Sequence, residues 1–85
     1  MALRFSADFA YEGESLDEAI AEFRSEIDGT VVIEVDDRKL AGMWPYVSVT
    51  AGDVATILSA VYVYCGKDAD TFADLVLQPH TIEVI

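Results

Sequence analysis

The chain has 85 residues, 53% hydrophobic and 25% charged, a balance that implies one globular domain over residues 1–85 rather than a disordered segment. Sixteen acids against five bases set the net charge at −11, which argues against direct binding of DNA or RNA and against an anionic membrane surface. One cysteine excludes an internal disulfide framework, no run approaches the roughly 20 apolar residues of a membrane span, and the opening MALRFSADFA does not read as a secretory signal, so the expected location is the cytoplasm.

Residues 2–11 alternate, with Leu3, Phe5, Ala7, Phe9 and Tyr11 on one side and Arg4, Ser6 and Asp8 on the other. That period of two predicts a half-buried strand, broken by Glu12-Gly13-Glu14. Ser15 and Glu18 then form a capping box, and Leu16, Ala19, Ile20, Phe23 and Ile27 lie at helical spacing, so a helix follows and stops at Asp28-Gly29. A second strand over 30–37 turns Val31, Ile33 and Val35 inward and Val32, Glu34 and Asp36 outward, and 37–42 reads as a hairpin loop. The third strand, 43–50, sets Met43, Val47 and Val49 on one face and Trp44, Tyr46 and Ser48 on the other. Pro45 has no amide to give the ladder and belongs near its start.

Beyond a turn at 50–53, Val54, Ile57, Leu58, Val61 and Cys65 give a second apolar stripe. The run Val61-Tyr62-Val63-Tyr64 suits a strand by propensity, but the unbroken spacing from Val54 and the terminator Gly66 favour a helix. Asp68 or Asp70 can cap a further turn or two through Leu77, with Phe72, Leu75 and Val76 inward and Pro79 as the stop. Residues 81–85 form a last short strand that buries Ile82 and Val84.

The order βαββαβ predicts an α+β fold of the ferredoxin-like split-βαβ type. Its four-stranded antiparallel sheet would run 4-1-3-2, with both helices, the second interrupted near Gly66, on one face. The other face would be open. Such a topology hosts many unrelated functions, so function has to be argued from surfaces.

The charge is uneven. Residues 8–37 hold eleven of the sixteen acids and one base, Arg24. Glu18, Glu22 and Glu26 recur every four residues along the first helix, about 6 Å apart at the helical rise, and no lysine interrupts them. A solvated, solubilising helix face explains this, and so does adaptation to high salt, although a halophilic shell should cover the whole surface. The functional reading is an acidic surface that docks on a basic partner, in its strongest form imitating a nucleic-acid backbone in a nucleic-acid groove.

On the open face, Trp44 and Tyr46 would stand near Arg4, Ser6, Asp8, Glu34 and Asp36. RNA-recognition domains of this topology stack bases on such aromatics, but the surrounding charge here is of the wrong sign. Tyr and Trp are also the residue types of protein-binding hot spots, and the competing reading is that Trp44 packs on a loop or neighbouring strand.

No chemistry is specified by spacing. His80 is the only histidine, and Cys65 falls on an inward stripe. An EF-hand counted from Asp68 would need glycine and glutamate where Ala73 and Pro79 stand, and the glycines form no phosphate loop. The expectation is therefore no catalysis, no metal and no cofactor. The sequence points to a non-enzymatic inhibitor that binds a basic protein, nucleic-acid-binding proteins included, through Glu18, Glu22, Glu26, Glu34, Asp36, Trp44 and Tyr46. Phage anti-defence proteins (anti-CRISPR, anti-restriction) and toxin-neutralising immunity proteins share this size and charge, which is an analogy and not a match. The alternative is a homodimer or larger homo-oligomer, structural or small-ligand-binding, that buries its open sheet face.

Overall fold

Alternating side chains build the first strand, β1 (Leu3–Asp8), in the computed structural model, which describes residues 2–12, 15–36 and 44–85. There follow α1 (Leu16–Glu26), β2 (Val32–Asp36), β3 (Tyr46–Ala51), α2 (Val54–Tyr64), α3 (Ala69–Leu77) and β4 (Ile82–Val84). The fold is α+β, with a four-stranded antiparallel sheet and three helices among the described residues. The strands lie in the order β2-β3-β1-β4, which is 4-1-3-2 from the other edge, and each neighbouring pair is antiparallel. No helix among the described residues is long and apolar enough to cross a membrane.

Local signals start and stop the helices. Ser15 Oγ accepts from the Glu18 amide at 3.2 Å, and the Asp28 amide beyond α1 donates to Ser59 Oγ of α2 at 2.9 Å. Gly29, at φ 120°, lies so close to Thr56 that a Cβ there would sit 2.5 Å from its Oγ1. Asp53 caps α2, its carboxylate accepting from the Thr56 amide at 2.8 Å and the Thr56 hydroxyl at 3.0 Å. The Thr56 amide is the main cause that holds the Asp53 carboxyl below its ordinary value, so this cap weakens as pH falls through that lowered pKa.

The interruption near Gly66 is a complete break, so the helices among the described residues number three instead of the expected two. The Gly66 amide bonds the Val63 carbonyl and the Lys67 amide the Tyr62 carbonyl, both at 3.0 Å, while Gly66 and Lys67 take φ of 68° and 61°. These paired bonds are a Schellman motif, which cannot continue a helix. Asp68 then caps α3, accepting from the Asp70 amide and the Thr71 hydroxyl. The run 61–64 is helical, as the spacing favoured.

The core joins Phe5 and Phe9 with Val47, Val49 and Ala51 from the sheet side, and Ala19, Phe23, Ile57, Ala60 and Val61 from the helices. Several expectations are corrected. β1 ends at Asp8, so Tyr11 lies beyond the strand, and β3 begins at Tyr46, so Trp44 precedes it. Pro45 is where the missing amide requires, immediately before β3, and its carbonyl accepts from the Phe9 amide at 2.8 Å. Val54 opens α2 and is exposed; Thr56, packed under Gly29, is buried instead. Cys65 is half-buried at the end of α2. Val35 and Val84 share the core side of the sheet by register, yet their positions on the two edge strands leave them 40% and 63% exposed. The break expected at Gly13 and Glu14, the loop 37–42 and the inward Met43 lie outside the described residues.

Candidate functional site

The register sets out the open face in rows. Asp36 of β2, Tyr46 of β3 and Asp8 of β1 form one row; Glu34, Ser48 and Ser6 form the next; Val32, Thr50, Arg4 and Glu83 form a third across all four strands. Directly opposed residues in antiparallel strands stand about 4.5–5.5 Å apart, so each row is a line of neighbours. Ser6 and Ser48 share a hydroxyl hydrogen bond at 3.0 Å. Arg4 pairs with Glu83 at 2.7 Å, so the one guanidinium among these rows is engaged at the β4 side while Asp8, Glu34 and Asp36 lie toward the other end and edge.

An aromatic corner adjoins the acidic end. The rings of Trp44 and Tyr11 meet at 5.8 Å and 59°, where the chain leaves β1 and enters β3. Trp44 remains 46% exposed. Its contact with a loop residue matches the competing reading, but nearly half of the residue's surface stays exposed. The pairing with Tyr11 was hidden by the alternation, which continued the strand too far. Extending the observed β1–β3 register places Trp44 opposite Ala10, next to Tyr11, so the position of Pro45 was the available clue.

No protein family, curated protein or solved structure matches the chain.

The other predicted residues lie elsewhere. Glu18, Glu22 and Glu26 are exposed along α1, whose buried Phe23 packs its ring on Phe9 at 5.4 Å on the helical side. Glu26 reaches Lys67 at 3.1 Å, which ties the end of α1 to the turn after α2. The predicted binding residues thus form two groups separated by the sheet. Tyr64 is half-buried, its ring edge-on to Phe5 at 5.1 Å and its hydroxyl donating to the Asp8 carbonyl at 2.6 Å. Burial, then the Asp8 charge, raises its pKa. Burial is also the main cause that raises the Cys65 thiol, followed by Asp68, so the thiolate that a nucleophile needs is disfavoured. His80 sits exposed in the turn before β4 at φ 69°. Among the described residues, no three His, Cys, Asp or Glu side chains are grouped to hold a metal ion.

Proposed function

We propose that this domain is a non-enzymatic, cytoplasmic inhibitor that docks its open sheet face on a basic, nucleic-acid-handling surface of a partner protein. The observation that carries the reading is the row Asp36–Tyr46–Asp8 beside the Trp44–Tyr11 corner. Carboxylates accept from lysine and arginine, aromatic faces stack on guanidinium, and an exposed Trp beside them supplies the apolar anchor that hot spots use. We also read the fold as a ferredoxin-like variant, on the strength of its strand order and antiparallel senses, with α3 as the departure.

The glutamate ridge of α1 takes a lesser part in this reading. The molecule is 22 Å across its shortest axis, whereas charges are screened over about 8 Å at physiological ionic strength. A partner on the open face therefore feels little of the ridge, whose role is solubility. Burial of the open face in a homodimer has less support, because Asp8, Glu34 and Asp36 of both copies would enter one contact while the Arg4 guanidinium of each is already paired with Glu83.

The test is retention of proteins from a lysate of the source cell on immobilised domain, eluted by rising salt and read by mass spectrometry. A basic protein held by the wild type should lose at least about tenfold in affinity in Glu34→Lys/Asp36→Lys, and much less in Glu18→Lys/Glu22→Lys. Equal retention by all three forms, with circular dichroism preserved, overturns the assignment.

A further inference from the structure

The two edges of the sheet are unlike. β2 carries Glu34 and Asp36, both exposed, on its outer strand, and charges of one sign guard an edge against another copy of itself. β4 carries one acid, Glu83, already paired to Arg4 at 2.7 Å.

The ladder decides which backbone groups of β4 point off the sheet. Ala2 and Ile85 exchange both hydrogen bonds, at 3.2 and 2.8 Å. Antiparallel pairs alternate between bonded and non-bonded, so Leu3/Val84 is non-bonded, Arg4/Glu83 bonded and Phe5/Ile82 non-bonded. The N–H and C=O of both Ile82 and Val84 therefore face outward from the edge. Along this strand end, Val84 is 63% exposed and Ile85 52%.

We propose that a second copy of this chain pairs antiparallel along β4, with the two-fold axis at Glu83, so that the sheet continues from one copy into the other. In this register Ile82 lies opposite Val84 of the second copy, and all four outward groups of each strand are used in four backbone hydrogen bonds. The side chains of Ile82 and Val84 meet on the core side and cover the exposed valine. Centring the pair on Ile82 instead would bring Val84 opposite His80, which at φ 69° is not extended. Charge selects the same edge. Each copy carries −11, so a self-contact has to form where charges cancel. At β4 two Arg4–Glu83 pairs meet at the axis, each carboxylate beside its own guanidinium. Salt screens the remaining repulsion between copies, so this contact strengthens as ionic strength rises, opposite in sign to docking on a basic partner.

The strand is short and the contact small, so it is sought by analytical ultracentrifugation up to about 1 mM protein, at about 0.05 M and about 0.5 M salt. The mass should rise toward the dimer with concentration, more at the higher salt. Val84→Pro deletes one outward amide without touching the bonds to β1, and Val84→Glu adds an edge anion to a chain that already carries −11; both should stay monomeric with unchanged circular dichroism. If the proline variant does not fold, the glutamate variant decides. A wild type that is monomeric at every concentration in both salts overturns the proposal and leaves the edge to a strand of another protein. Dimerisation of a folded variant as strong as the wild type's overturns it too.

Discussion

On the helix-covered face of the sheet, Phe5, Val47 and Val49 are sealed from water; one residue along the same strands, Ser6, Tyr46 and Ser48 line a face that no helix among the described residues covers. A step of a single residue separates the part of the molecule that holds it together from the part that can meet a partner. On the first face the side chains of the central strands β1 and β3 are enclosed at Phe5, Val47 and Val49, so removing atoms there leaves a hole. Water takes the place of a missing neighbour at the exposed Asp8, Glu34 and Asp36 of the second, and these side chains can be exchanged at little cost to the fold. Stability and recognition are thereby separable in an 85-residue chain.

The contrast is broken most severely by hollowing the covered face. Ile57 of α2 is fully buried, and Ile57→Ala should cost about 3 kcal/mol, a large part of the roughly 4–13 kcal/mol that a domain of this length has, as measured by urea denaturation. Gly29→Ala comes next, at about 2 kcal/mol, because the added carbon meets Thr56 and the residue keeps a positive φ. A smaller cost of Gly29→Ala in a Thr56→Ala background, where the oxygen at 2.5 Å and the methyl at 2.8 Å are both gone, would show that the crowding is the cause.

Tyr64 links the helical layer to the end of β1, and Tyr64→Phe should cost about 1 kcal/mol by losing the bond to the Asp8 carbonyl. This residue also sharpens the comparison through pH. Its folded pKa is raised above 10.0, so its contribution is complete below that value and is lost as pH rises through the folded pKa. Denaturation curves between about pH 9 and about pH 11 should therefore show a steeper alkaline loss in the wild type than in the phenylalanine variant. The smallest effect belongs to the open face. Glu34→Lys/Asp36→Lys should leave the melting midpoint within a few degrees while removing partner affinity.

Much of the fold was legible because its signals are local. Ser15 and Asp68 cap helices where their side chains reach the next free amides, and Pro45 marks the entry to β3 because it has no hydrogen to donate. The helical reading of 61–64 followed from the spacing from Val54 and the terminator Gly66. Less was legible in the candidate site. Its acids and aromatics could be named, but alternation carried on past Asp8 and drew Tyr11 into a strand, which concealed its contact with Trp44.

Periodicity and capping chemistry act within a few residues, and for that reason most strands and helices could be read from local pattern, while the ends of β1 and β3, the full break at Gly66 and the exposure of Val54 and Val84 could not. The expected strand order already brought Asp8, Glu34 and Asp36 to one face, as the register has them; only the folded chain shows the particular pairings, Glu26 with Lys67 across the helical layer and Arg4 with Glu83 across neighbouring strands. Those partners are far apart along the chain, and their contact depends on register and side-chain packing, which no local pattern encodes.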